Sequence, residues 1–98
     1  MNQKHQYFLN AVMLNQTEEA KSLLEEDPSL ISLADADGNM ALHLASSPAM
    51  ASLLICKGAD GSKANHKGIY PDEAAIERHR EDVANIIRRS GWPEAAKG

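Results

Sequence analysis

Asp35-Ala36-Asp37-Gly38-Asn39-Met40-Ala41-Leu42-His43-Leu44-Ala45 has a counterpart downstream in Asn65-His66-Lys67-Gly68-Ile69-Tyr70-Pro71-Asp72-Glu73-Ala74-Ala75. Each stretch places a polar turn around a glycine and then starts a short helix that ends in alanine. Gly38 and Gly68 lie 30 residues apart. A second landmark keeps the same phase: Leu53-Leu54-Ile55-Cys56-Lys57-Gly58 returns as Ile86-Ile87-Arg88-Arg89-Ser90-Gly91, at a spacing of 33. An earlier copy, Leu23-Leu24-Glu25-Glu26-Asp27, runs into Pro28 instead of a glycine. Self-similarity at such a period implies a chain of small units, none able to bury its apolar face alone.

The local chemistry agrees with that division. Gly38 takes positive φ at the tip of a turn, and Leu42, Leu44 and Ala45 follow as the apolar side of a two-turn helix. Ser47 is an N-cap with Pro48 behind it; Met50, Leu53 and Leu54 form a core stripe, and Gly58 ends that helix. In the third unit Pro71 opens a helix with Asp72 and Glu73 in its first turn. Val83, Ile86 and Ile87 make the stripe of the next one, with Arg88 and Arg89 in its last turn. The first unit begins directly in helix: Phe8, Leu9, Ala11 and Val12 face the second unit. Asn15-Gln16 turns the chain, and Thr17 caps a helix carrying Ala20, Leu23 and Leu24.

These residues carry a resemblance to the ankyrin-repeat family. Gly38 to Ala45 resembles the family's G-x-T-P-L-H-x-A signature, Leu53 to Asp60 its L-L-x-x-x-G-A-D ending, and Gly68 to Ala75 its closing variant G-x-T-P-E-D-x-A. Glu25 to Gly38 is similar to the first units of short bacterial members. The resemblance spans about residues 4 to 91. It implies an all-α solenoid of three helix-turn-helix units (about 4–34, 35–64 and 65–91, with a tail 92–98) joined by projecting turns. Met40 and Ala41 replace the family's Thr-Pro, which removes the threonine that normally bonds the histidine. The second unit is three residues short at Ser46-Ser47-Pro48, truncating its first helix. His79 and Arg80 stand where a glycine usually turns the chain.

Composition narrows the function classes. The 98 residues are enough for one small domain, and Tyr7, Phe8, Tyr70 and Trp92 are the only aromatics, so alanine and aliphatic residues must supply the core. A net charge of −4 argues against a nucleic-acid backbone as partner. No leader opens the chain and no apolar run reaches membrane length, and the single Cys56 cannot form an internal disulfide, so a cytoplasmic setting is expected with no membrane contact.

No residues converge into a catalytic set, so no enzymatic activity, cofactor or metal is expected. His43 reads as a buried structural histidine, and His66 and His79 lack cysteine or carboxylate partners at metal spacing. Asp72 and Glu73 are adjacent, hence about 100° apart on a helix, and cannot oppose one another as acid and base. Cys56 lies in the last turn of a helix, where the dipole disfavours a thiolate. Gly58 to Gly61 holds no phosphate-binding pattern.

The resemblance implies instead a protein partner, bound by the turn tips and the concave face of the first helices. Carried over by position, the candidates are Asp35, Ala36, Asp37, Asn39, Asn65, His66, Lys67 and Ile69, with Ser46, Ser47, Glu77 and Arg78 behind them and Met13 in the first unit. Ile69 and Met13 are apolar and suited to anchor a partner. A dedicated inhibitor of an enzyme and a weak self-associating structural protein are the alternatives. Trp92 is read as a lid folding back over the last helix pair.

Overall fold

The computed structural model describes residues 3–90; the expectations for Gly91, Trp92 and the rest of the tail lie outside them. The elements are α1 Gln3–Met13, α2 Thr17–Glu26, a 3-10 turn Pro28–Ser32, α3 Ala41–Leu44, α4 Pro48–Cys56, α5 Pro71–Glu77 and α6 Glu81–Arg89. Among the described residues the fold is all-α, with one isolated antiparallel bridge between Ala34 and Met40 at the base of a turn. Helices pair as α1 with α2, α3 with α4 and α5 with α6. Across pairs, α3 packs against both α1 and α5, and α4 against both α2 and α6. The longest dimension is 34 Å, about what three helix layers spaced by roughly 8–10 Å require with their side chains.

Small side chains make that packing close. Ala11, Ala20, Ala41, Ala45, Ala51, Ala75 and Ala84 are all buried between larger groups, chiefly Phe8, Val12, Leu24, Leu42, Met50, Leu54, Val83 and Ile87. None of the helices exceeds 11 residues, a length at which an isolated helix is marginal in water, so their persistence depends on this burial.

Helix ends follow the local chemistry in most places. Ser47 Oγ accepts from Met50 N at 3.1 Å, Pro48 occupies the first helical position of α4, and Gly58 ends it at φ +98°. The α1–α2 connection differs from expectation. Asn15 adopts φ +60° and reverses the chain so sharply that Gln16 is already the N-cap, leaving Thr17 as the first helical residue with no capping role. The shortened second unit has the expected consequence: α3 is four residues long and α5 seven. Within so short a helix Leu42 and Leu44 point to different sides. Leu42 is buried, whereas Leu44 is half-buried, packed against the core on one side and lining an open surface on the other.

An ion pair ties α5 to α6 within the third helix pair. Asp72 is 4 % exposed and takes Arg88 Nε at 2.9 Å, a pairing of the first turn of α5 with the last turn of α6. Of the two first-turn acids, Asp72 is thus buried while Glu73 stays exposed. At the end of α5 the chain turns through His79 at φ +61°, a left-handed conformation in which histidine is tolerated better than most residues.

Candidate interaction groove

The two glycine-centred turns are built by one set of bonds used twice. Asp35 N donates to Asn39 O at 2.9 Å and Gly38 N to Asp35 O at 3.0 Å; Asn65 N donates to Ile69 O and Gly68 N to Asn65 O, both at 2.9 Å. Asp35 Oδ1 accepts from the N–H groups of Asp37 and Asn39, each at 2.9 Å. Asn65 Oδ1 accepts from those of Lys67 and Ile69 at 2.9 and 3.0 Å. Gly38 and Gly68 share φ +80°. The turns are then tied to each other, His66 N donating to Asp37 O and Asn65 Nδ2 to Asn39 Oδ1, both at 2.9 Å. Asp35, Asn39 and Asn65 thus spend their polar atoms on the scaffold.

A second repeated device escaped the sequence reading. Asp27 Oδ1 accepts from Ser29 N and Ser29 Oγ, and Asp60 Oδ1 accepts from the same atoms of Ser62, 33 residues on. The serine hydroxyls hold both carboxyls below the usual carboxylate range. The shared Asp-x-Ser spelling of both segments was the available signal.

His43 locks the second turn to the helix beneath the first. Its Nδ1 accepts from Met40 N at 3.1 Å, which fixes the proton on Nε2, and Nε2 donates to Ile69 O at 2.9 Å. The bond to Nδ1 comes from the backbone of Met40, so the side chain at position 40 takes no part in it. Burial is the main cause of a pKa below the usual histidine value, with Arg78 adding to it and the Ile69 carbonyl and Asp35 opposing.

Arg78 is committed in the same way. Its guanidinium donates to the His43 carbonyl, to Ala45 O at 3.3 Å and to Leu44 O at 3.5 Å, so it caps the frayed C-terminus of α3. Burial, and then Arg80, lower its pKa. Ser47 is also structural, donating to Asn15 Oδ1 at 2.6 Å besides capping α4, while Ser46 Oγ is buried without a hydrogen-bond partner.

What remains is an open groove lined by the turns together with α1, α3 and α5, and by none of α2, α4 or α6. One compartment gathers Asp37, Asn39, Asn65, Lys67, Ile69, Glu77 and Arg78 around Leu44. The adjoining compartment gathers Met13, Asp35, Ala36 and Asp37 over Leu9 and Leu44. Asp37 and Leu44 line both. Met13 is 49 % exposed there. His66 is left out, since its ring lies on the other flank of the turns against Gly38, and Ser46 and Ser47 are left out as well.

Among the described residues no group of three or more His, Cys, Asp or Glu side chains could hold a metal ion, and no helix is long and apolar enough to cross a membrane. No family model matches the chain, and no curated protein matches it.

Proposed function

We propose that the chain is a three-unit ankyrin-type array that binds a partner protein through its turn tips and the groove beside them, and catalyses nothing. The observation that carries this reading is the division of labour among polar groups. Asp35, Asn39, Asn65, His43 and Arg78 are consumed by the framework, whereas Asp37, Lys67 and Glu77 face the groove beside an exposed Met13. A rigid frame that presents uncommitted side chains around a partly apolar floor has the anatomy of a recognition surface. The repeated turns at 35–39 and 65–69 and the repeated Asp-x-Ser devices support the array reading, because each unit solves the same local problem with the same atoms. The exposed thiol of Cys56 fits a reducing, cytoplasmic setting.

The test is capture from an extract of the native cells, with the wild-type chain against a groove variant carrying Met13→Asp and Lys67→Glu. Proteins held by the wild type and released by the variant are expected. An identical set on both would contradict the reading, provided circular dichroism shows the variant folded.

Self-association is a second reading, favoured by one observation. Tyr7 and Leu14 are 55 % and 66 % exposed, apolar surface on the first helix pair and the turn that follows α1. Sedimentation at two concentrations separates the readings: an unchanging monomer mass removes this one.

A further inference from the structure

The two compartments of the groove differ in charge, and the difference specifies the partner. In the compartment between α1 and the 35–39 turn, Asp35 and Asp37 are the charged groups and no cation stands among its lining residues. In the other, Asp37 and Glu77 are balanced by Lys67 and Arg78. Asp35 is saturated by the turn. Asp37 is not. Its N–H is held by Asp35 Oδ1 and its carbonyl accepts from His66 N, both at 2.9 Å. The backbone is therefore fixed, while the carboxylate is exposed and engages no other group among the described residues. Beside it lie Leu9, the half-buried Leu44 and the half-exposed thioether of Met13, a side chain that adapts to varied apolar shapes.

We propose that this compartment takes a segment of the partner in which a basic side chain adjoins a large apolar one. The ammonium or guanidinium pairs with the Asp37 carboxylate, and the apolar group seats on Leu9, Met13 and Leu44. The inference rests on the groove reading above and adds the chemistry of the occupant. A charge-assisted bond to a carboxylate held in advance by its backbone costs little ordering on the protein's side. The chain's net charge of −4 draws a basic segment in from a distance.

The test is selection of a phage-displayed random dodecapeptide library on the wild-type chain, followed by anisotropy titration of the enriched peptides made synthetically. Enriched peptides are expected to carry Arg or Lys within one or two positions of a large apolar residue. Their affinity is expected to fall about tenfold in Asp37→Asn, to fall in Met13→Ala, and to weaken as salt rises. Asp37→Asn leaves the turn intact because the bonds of residue 37 are made by its backbone, which an unchanged melting temperature checks. Peptides without a basic residue, or basic peptides bound equally well by Asp37→Asn, overturn the inference; if Met13→Ala still weakens them, the groove reading stands. Binding indifferent to both substitutions contradicts the two together. An empty selection overturns the inference alone, and extract capture then judges the wider reading separately.

Discussion

Gly38 and Gly68 share φ +80° but not their surroundings. A Cβ on Gly68 would meet nothing within 4 Å, whereas one on Gly38 would lie 2.6 Å from His66 Cδ2 and 3.0 Å from His66 N. Gly68→Ala is therefore expected to cost about 1 kcal/mol from the left-handed backbone alone, and Gly38→Ala about 2–3 kcal/mol. Part of that excess should vanish in a His66→Ala background, measured as a double-mutant cycle by urea denaturation. Equal costs at the two glycines would mean that the turns do not touch as described. His43 sets a second expectation. Burial holds its folded pKa below the ordinary 6.5, against the Ile69 carbonyl and Asp35 and with the help of Arg78. Above that ordinary value both folded and unfolded chains hold it neutral and its contribution is complete. Below it the unfolded chain takes up a proton that the folded chain refuses, so stability declines as pH falls toward the folded pKa. The urea midpoint should drop as pH falls below about 6.5, and His43→Gln should flatten that part of the profile while lowering it throughout. A slope unchanged in the variant would assign the effect to other groups.

Helices in this chain are held at their ends as much as along their faces. Ser47→Ala removes the cap of α4 and the bond to Asn15, for an expected loss of about 1 kcal/mol. Arg88→Met strands the buried carboxylate of Asp72, whose other oxygen already lacks a partner. Because Arg88 is itself 51 % exposed along its side chain, the expected cost is about 1–3 kcal/mol, at the lower end for a broken buried pair. Thermal melts check both, and an Arg88→Met protein as stable as wild type would show that the pair contributes nothing. What the sequence made legible follows the same division. Ser47, Pro48, Gly58 and Pro71 could be placed because a cap or a stop is a matter of neighbouring residues. Thr17 was misplaced because the left-handed Asn15 advanced the helix start by one residue. The burial of Asp72 and the capping role of Arg78 depend on partners 16 and more than 30 residues away, which no local pattern contains.

At the scale of the molecule, three helix pairs lie side by side, with the groove on the α1, α3 and α5 side. The period of the sequence puts the two turns in one phase, and most residues named from them line one side of the molecule. It could not tell scaffold from presented surface among them. Asp35 and Asp37 read alike as turn carboxylates, yet one closes the turn and the other stands open, a distinction made by which N–H groups the fold brings within reach. His66 was grouped with Lys67 by its position in the turn, but its ring packs on Gly38 and faces the opposite flank. The central claim is that binding belongs to the groove side. It is tested most directly by hydrogen–deuterium exchange of the chain alone and bound to the protein it captures. Slowed exchange is expected in residues 10–14, 35–39 and 65–69, with α2, α4 and α6 unchanged; protection concentrated on α2, α4 and α6 would contradict the account.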